Sequence, residues 1–256
     1  MKKFPIPIWK KTIRRFGIDI VRYAPRAADR AKAIDPRQKG ANLLKALTLH
    51  KIDLIFDIGA NVGQFAHHMF EIGYEGSIVS FEPITAAREQ LLTASQTCSN
   101  WSVAEQCALG DRDTRIDINV AEDTKKSSIL SILPTYLDLA PNATFIRTET
   151  VPMCQFSACF EQYRGDAQAP FLKINVQGFE DRVLQGAEAV LGQLKGIHIE
   201  FSFVPLYEQQ VLFNTLFEHI QLQGFTLYNL YPSFSDYRTG KIIKAVGIFF
   251  RETDAG

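Results

Sequence analysis

The stretch IDLIFDIGANVGQFAHHMFEIGYEGSIVSFEP, residues 52–83, decides the fold. It opens with an apolar run, continues through a glycine-containing turn into residues with helical periodicity, and ends with a second apolar run. A strand, a helix and another strand in this order are typical of a βαβ unit, whose two strands lie parallel in one sheet. The stretch therefore predicts an α/β protein with a parallel sheet.

The same alternation continues toward the C-terminus. Apolar runs typical of buried strands are residues 169–176 and 196–203, and helical periodicity is found in residues 84–96, 178–194 and 208–224. The last two apolar runs, residues 225–231 and 243–250, are joined by turn-forming residues and predict an antiparallel hairpin. We expect a mostly parallel sheet with helices on both faces and a C-terminal antiparallel hairpin.

Residues 121–150 interrupt this alternation. The segment mixes polar and apolar residues, contains two prolines and has no sustained period. In open α/β sheets, ligands bind outside the carboxyl ends of the strands, where long connections form lids or substrate walls. We interpret the segment as an irregular insertion in a domain of residues 41–256. It is either an acceptor-binding wall or an ordinary surface loop.

Residues 1–40 carry twelve Lys and Arg but only three Asp. Trp9, Ile13, Phe16 and Ile20 recur at helical spacing among these basic residues. We therefore predict a basic helical extension. Such a helix either caps the main domain or makes weak contact with an anionic membrane surface.

Composition limits the partners and the location. The 28 basic and 28 acidic side chains cancel, which argues against nucleic acid as a partner. No apolar run reaches the roughly 18 residues of a transmembrane segment, and the N-terminus lacks the pattern of a secretory signal. The four cysteines follow no redox-pair or zinc-site spacing, so we expect reduced thiols, no metal site and a cytoplasmic location.

The turn after the first strand is the strongest chemical signal. Asp57 ends the strand, Gly59 and Gly63 allow close approach of a ligand, and Glu82 ends the next strand, where doubly wound folds bind ribose hydroxyls. Together they predict a cofactor that contains adenosine. Asn61 occupies the place of the middle glycine of the dinucleotide fingerprint, which disfavours a pyrophosphate. The cationic S-adenosylmethionine suits these carboxylates better.

Several separated blocks resemble, in the same order, the FkbM family of methyltransferases. They are FDIGANVGQF, VSFEP, CALGD, SSIL, FLKINVQGFEDRVLQGA and HIEFSFVPLYE, and the similarity covers roughly residues 40–251. The resemblance implies a Rossmann-like class I methyltransferase fold with a seven-stranded sheet and S-adenosylmethionine as methyl donor. It also implies O-methylation of a hydroxyl on a sugar, glycan or other secondary metabolite.

The resemblance further implies which residues bind the cofactor. By matching positions, the methionine part would be lined by Asp57, Gly59, Asn61 and Gly63. Glu82 would hold the ribose, and the CALGD segment near Ala108 would flank the adenine.

On the side of the site that would bind the methyl acceptor, the chain lacks three acids of the family pattern. Asn175, Cys154 and Val246 stand where the family commonly has acids. Asn175 can orient a hydroxyl but cannot take its proton at neutral pH. Glu180, at the start of the next helix, and Glu200, in a strongly apolar strand, are the other candidates for catalysis. A buried carboxylate at position 200 requires a ligand or a partner.

Two further functional classes stay open at this point. The missing acids allow a cofactor-binding pseudoenzyme or scaffold without methyl transfer. A weaker alternative is a nicotinamide-dependent oxidoreductase, against which the missing central glycine argues.

Overall fold

The computed structural model describes residues 36–251 of the 256-residue chain. The helical extension predicted for residues 1–40, with its membrane-surface hypothesis, lies almost wholly outside these residues and stays a prediction. Within residues 36–251, no helix combines the length and the apolar character that crossing a membrane requires.

The described residues form ten strands and seven α-helices. The strands are β1 (Leu54–Ile58), β2 (Ser77–Phe81), β3 (Trp101–Val103), β4 (Ala108–Gly110), β5 (Thr114–Ala121), β6 (Phe145–Gln155), β7 (Pro170–Ile174), β8 (Gly196–Ser202), β9 (Phe225–Ser235) and β10 (Ile242–Arg251). The helices are α1 (Pro36–Leu49), α2 (Gln64–Glu71), α3 (Thr85–Ser95), α4 (Pro134–Leu139), α5 (Phe156–Arg164), α6 (Glu180–Ala187) and α7 (Phe213–Leu222). Single 3-10 segments are Thr124–Lys126, Pro141–Ala143 and Glu188–Gln193.

The central sheet has seven strands in the order β3-β2-β1-β7-β8-β10-β9. The pairs from β3 to β8 are parallel, whereas β10 runs antiparallel to both β8 and β9. The antiparallel pairing of β9 with β10 is the predicted C-terminal hairpin, and β10 lies between β8 and β9. The predicted α/β architecture is confirmed.

Both faces of the sheet are covered by helices. Because alternate residues of each strand point to opposite faces, one strand contacts both helical layers. Phe56 of β1 packs with Phe156 and Phe160 of α5 on one face. The next residue toward the N-terminus, Ile55, belongs to the cluster that contains Leu47 of α1 and other residues of α1 and α2. All five residues of β1 are buried, as expected of a strand covered on both sides.

The insertion is more regular than its sequence pattern indicates. A second sheet has the strand order β4-β6-β5, and β6 includes residues 145–150, which we had expected to be irregular. The alternation of residues in β6 was hard to recognise because this sheet is exposed along much of one face and Pro152 interrupts the pattern. Between β5 and β6, short helical segments and turns connect the strands, as predicted for an insertion.

Candidate functional site

A cavity of about 560 Å³ opens at the carboxyl ends of β1, β2, β7 and β8. Its size lies within the roughly 300–1,000 Å³ of small-molecule pockets. Gly59, Glu82, Asn175 and Glu200 each line it from the end of a different strand, and residues 123–129 of the insertion complete the lining. This is the edge of the sheet at which the sequence predicts a ligand.

The turn between β1 and α2 depends on unusual backbone conformations. Gly59 has φ +73°, Gly63 has φ +90° and Asn61 has φ +52°. A Cβ at position 59 would collide with the backbone carbonyl of Asn175, and one at position 63 would collide with the Trp101 ring. Gly59 and Asn61 line the cavity, but Gly63 does not. Position 63 needs glycine because the Trp101 ring packs directly against it.

Four N–H groups of this turn, those of Gly59, Ala60, Asn61 and Gly63, are engaged within the protein. Gly59 and Ala60 both donate to the Phe81 carbonyl, at 3.1 and 3.0 Å, and Asn61 donates to a Glu82 carboxylate oxygen at 2.8 Å. Gly63 donates to the Ala60 carbonyl at 2.9 Å. A phosphate-binding turn instead directs free amide groups at its ligand. The turn therefore suits a ligand that packs closely against it without phosphate groups.

Asp57 lies beneath this turn and does not line the cavity. Its carboxylate is fully buried, and its Oδ1 lies 2.7 Å from the ammonium nitrogen of Lys173. Lys173 also donates to the Gly59 carbonyl at 3.1 Å. The structure thus departs from the expectation that Asp57 contacts the cofactor, because Lys173, on the neighbouring strand β7, has taken the carboxylate as its own partner.

Glu82 occupies the cavity wall predicted for ribose binding. Each carboxylate oxygen accepts one backbone N–H, from Asn61 at 2.8 Å and from Ile84 at 2.9 Å. Burial raises the pKa of Glu82 to about 7, although these two N–H groups oppose the shift. Each oxygen retains a lone pair, so Glu82 can still accept a hydrogen bond from a ligand hydroxyl.

The cavity beside Glu82 is an apolar slot. Ala108 lines it together with Leu109, Ile84 and Ile118. These side chains are all buried. An apolar slot next to a hydroxyl-binding carboxylate fits a nucleoside, because the base needs flat apolar walls and the sugar needs polar partners.

The other half of the cavity contains a hydrogen-bonded network centred on Gln177. Its Nε2 donates to Glu200 Oε2 at 3.1 Å and to Asn175 Oδ1 at 2.6 Å. Its Oε1 accepts from the Lys244 ammonium at 2.7 Å and lies 3.3 Å from the Tyr207 hydroxyl oxygen. Because Lys244 can only donate and ionised Glu200 can only accept, these charges determine which way the Gln177 amide points.

Asn175 is oriented by the same network. Its Oδ1 faces Gln177, whereas its Nδ2 makes no hydrogen bond among those found in residues 36–251. Asn175 lines the cavity, so the group that it keeps for a ligand is its amide donor. It can therefore hold an oxygen of a ligand but offers no base.

Glu200 and Lys244 form a buried ion pair with a separation of 3.1 Å. Burial alone would raise the pKa of Glu200, but Lys244 and the hydrogen bond from Ser233 outweigh it and hold the pKa below its ordinary value. Burial alone would likewise lower the pKa of Lys244, and Glu200 reverses that effect. The partner expected for Glu200 is thus Lys244, and both side chains are charged at neutral pH.

Glu180 does not line the cavity, contrary to our expectation for the acceptor side. It is buried, and its two oxygens accept the N–H groups of Val176 at 3.1 Å and Gly178 at 2.9 Å. Burial raises its pKa to about 7. Its position at the start of α6 lets it close the turn that carries Asn175 and Gln177, and what separates it from Glu82 is that it does not reach the cavity.

His198 lines the cavity between Phe65 and the acceptor half. Its Nε2 lies 3.2 Å from the Tyr231 hydroxyl, and its buried Nδ1 has no partner among the described residues. Burial, helped by the charge of Lys173, lowers its pKa to about 3, so the ring is neutral. The side chain therefore presents an uncharged ring to the cavity.

Residues 123–129 are tethered above the strand ends by hydrogen bonds from three other parts of the chain. Asn61 Nδ2 donates to Thr124 Oγ1 at 3.0 Å, and the Tyr207 hydroxyl donates to the Lys126 carbonyl at 3.1 Å. Ser128 Oγ donates to the Gln177 carbonyl at 2.7 Å. The insertion therefore spans the two halves of the cavity and forms part of its wall.

Several cavity residues escaped prediction from the sequence. Lys244, Gln177 and Tyr136 all line it. Lys173 and Lys244 each interrupt a strongly apolar strand, and a lysine in such a run signals a buried charge with a partner. Nothing in the local pattern singles out Tyr136, since its place depends on how the insertion folds.

Comparison with known proteins gives the family. Residues 57–227 match the model of the methyltransferase FkbM domain, whereas the curated proteins gave no significant match. Similar solved structures include magnesium protoporphyrin IX methyltransferase from Synechocystis PCC 6803 with bound S-adenosylmethionine. It has 9% identity and a TM-score of 0.47, over 96% of this chain and 92% of that one.

Two other similar structures share the same low level of identity. An rRNA methylase from Streptococcus thermophilus has 10% identity and a TM-score of 0.44, over 85% of this chain and 97% of that one. Precorrin-6y C5,15-methyltransferase from Geobacter metallireducens has 14% identity and a TM-score of 0.42, over 87% and 92%. Because the family model spans more than half of the chain, the chain belongs to the FkbM methyltransferase family.

Proposed function

We propose that this protein transfers a methyl group from S-adenosylmethionine to a hydroxyl oxygen of a sugar, glycan or other small secondary metabolite. The observation that carries the proposal is one cavity with two unlike halves. The apolar slot beside Glu82 suits a nucleoside, and the polar half at Asn175, Glu200 and Lys244 suits a hydroxylated acceptor. The engaged N–H groups of the Gly59 turn support a cofactor without phosphates.

The residues present fit this cofactor. Glu82 retains acceptor capacity for ribose hydroxyls, and the Nδ2 of Asn175, at the cavity wall, is a donor without a partner in the described chain. When bound, S-adenosylmethionine supplies an electrophilic methyl group, so the protein mainly has to bind and align the reactants. Alignment of the reactants can lower the activation free energy by on the order of 7–11 kcal/mol.

The acceptor half is built for orientation more than for proton removal. Asn175 donates, Lys244 is a cation, and Glu200 is an ionised carboxylate with a lowered pKa. A well-tuned general base adds roughly 10²- to 10⁴-fold, and a weak one adds less. Glu200 can accept a proton late, as the new C–O bond forms. We therefore expect slow but measurable methyl transfer.

The test has two stages. Calorimetry with S-adenosylhomocysteine measures cofactor binding, and incubation with S-adenosylmethionine carrying a labelled methyl group then measures transfer to sugars and to extracts rich in hydroxylated metabolites. We expect binding and a product heavier by one methylene group. Absence of S-adenosylhomocysteine binding would overturn the proposal.

A second candidate function is a cofactor-binding protein that does not transfer methyl groups. It is favoured by the lack of carboxylates at Asn175, Cys154 and Val246 and by the commitment of Glu200 to Lys244. It predicts cofactor binding without turnover on any acceptor. The Asn175→Asp variant separates the two cases, because it restores an acid at the same position. Transfer by that variant alone would identify the natural chain as an inactive relative.

A further inference from the structure

Three of the four cysteines lie close together beside the apolar slot of the cavity, the region that we propose binds the nucleoside and call its nucleoside end. The sulfur atoms of Cys107 and Cys154 lie 3.3 Å apart, and Cys159, on α5, lies near Cys154 and donates to the Phe156 carbonyl. Cys107 itself lines the cavity, immediately before Ala108. The spacing of these residues along the chain does not predict this cluster; the pairing of β4 with β6 creates it.

The pairing of the two strands explains why the thiols face each other. Leu109 of β4 is opposite Cys154 of β6, so Cys107, two residues before Leu109, projects to the same side as Cys154. In this parallel pair, a strand spacing of about 4.8 Å and a rise of about 3.3 Å per residue put residues offset by two positions roughly 8 Å apart at Cα, more than the usual 4.4–6.8 Å of a disulfide. Bond formation therefore needs a backbone shift, and Cys107 can make it because it precedes the strand and is not held within it.

We propose that Cys107 and Cys154 form a thiol-oxidation site that closes a disulfide under peroxide and thereby reshapes the nucleoside end of the cavity. The consequence for the cavity rests on the proposed cofactor function, whereas disulfide formation does not. All four cysteines are free thiols in the structure. Cys98 belongs to a different apolar cluster and has no part in the site.

The chemistry needs only a peroxide as the two-electron oxidant. The Cys154 sulfur attacks the O–O bond, which gives a sulfenic acid and water after proton transfer. The Cys107 sulfur then attacks the Cys154 sulfur, forms the S–S bond and displaces a second water. Two thiols lose two electrons and two protons, and one hydrogen peroxide becomes two waters.

Cys154 is suited to be the attacking thiol. In the structure its thiol donates to the Cys107 sulfur, and contact with Cys107, then with Cys159, lowers the pKa of Cys154, which favours the reactive thiolate. The same contacts raise the pKa of Cys107 and of Cys159. Cys154 is therefore expected to be oxidised first, with Cys107 as the resolving thiol.

Closure of the bond must change the cavity wall. The sulfur atoms have to approach from 3.3 Å to about 2.0 Å, and Cys107 is the partner that belongs to the wall. Shifts of this size matter in binding sites, which tolerate only about 0.5 Å of displacement. We expect the affinity for S-adenosylhomocysteine to fall by roughly tenfold in the oxidised protein.

The test uses the full chain, reduced and then exposed to hydrogen peroxide without cofactor. Free thiols are blocked with N-ethylmaleimide, and peptides are mapped by mass spectrometry. We expect a peptide pair joined through Cys107 and Cys154, which dithiothreitol reverses and which the Cys154→Ser variant lacks. The matched control, Cys98→Ser, should form the same pair at the same rate.

Two outcomes would overturn the proposal. One is oxidation without a Cys107–Cys154 disulfide, whether no disulfide forms or Cys154 pairs with Cys159. The other is a formed disulfide with unchanged affinity for S-adenosylhomocysteine in a protein that binds it when reduced. If the reduced protein fails to bind S-adenosylhomocysteine, the proposed cofactor function fails, while the peptide map still decides the thiol site.

Discussion

Glu82 is a single carboxyl whose protonation should be visible in the stability of the whole chain. Burial raises its pKa to about 7, whereas in an unfolded chain it would return to about 4.5. The folded state thus binds this proton more tightly, so its contribution to stability is full below about pH 4.5 and is lost as the pH rises to about 7. The difference corresponds to about 3 kcal/mol.

We predict that Glu82→Gln removes this dependence. The free energy of unfolding of the natural chain, minus that of the variant, should fall by about 3 kcal/mol between pH 4.5 and pH 7.5. Urea unfolding at a series of pH values measures it. Glu180 and His198 titrate in both proteins, so their effects largely cancel in the difference. Parallel pH profiles would show that Glu82 is ionised in the folded chain throughout.

At this same scale, sequence patterns locate polar groups better than they assign their roles. The positions of Glu82, Asn175 and Glu200 at strand ends could be predicted, because the carboxyl edge of a parallel sheet collects such groups. Their roles depend on partners that are remote in sequence. Glu200 forms an ion pair with Lys244, and Glu180 accepts hydrogen bonds from the turn beside it. No local sequence pattern reveals either contact.

The ion pair of Asp57 on β1 and Lys173 on β7 joins two adjacent strands beneath the turn between β1 and α2. The two atoms are 2.7 Å apart, and both side chains are almost completely buried. Lys173 also donates to the carbonyls of Ile58 and Gly59, so it fixes the turn to the neighbouring strand. Removing one member of such a pair leaves a buried charge without a partner, which typically costs about 3–5 kcal/mol.

We predict that Lys173→Met destabilises the chain by about 3–5 kcal/mol and that Asp57→Asn with Lys173→Met regains at least about 1 kcal/mol. The matched control is Arg147→Met at the more exposed Arg147–Glu149 pair, which should cost less than about 1 kcal/mol. Chemical denaturation of the four proteins gives the comparison. A double variant as unstable as Lys173→Met alone would mean that the lost carbonyl contacts, not the unpaired charge, dominate.

The elements of the central sheet follow from local pattern, but those of the insertion do not. β1, β2, β7 and β8 are buried on both faces, so their sequences are continuous apolar runs. β6 belongs to a small sheet with an exposed face, and residues 145–150 within it are mostly exposed. Their strand conformation depends on pairing with β5, a contact that is not local.

For the whole molecule, the cavity brings together elements from distant parts of the chain. Its lining includes the ends of β1, β2, β7 and β8 as well as the insertion, so a ligand that fills it connects all of them. A ligand that binds only the folded state stabilises it according to its concentration relative to its dissociation constant. Ligand identity can therefore be read from the unfolding of the whole chain.

We predict that S-adenosylhomocysteine at 100 times its dissociation constant stabilises the chain by about 2.7 kcal/mol. For a chain of this size, that corresponds to a rise in melting temperature of about 5–10 °C. A nicotinamide dinucleotide should give no rise, because the N–H groups of Gly59, Ala60, Asn61 and Gly63 already have protein partners and cannot bind a pyrophosphate. Thermal unfolding followed by circular dichroism distinguishes the two ligands. Stabilisation by the dinucleotide with none by S-adenosylhomocysteine would favour the oxidoreductase, since it would require the turn to release its amides for phosphate.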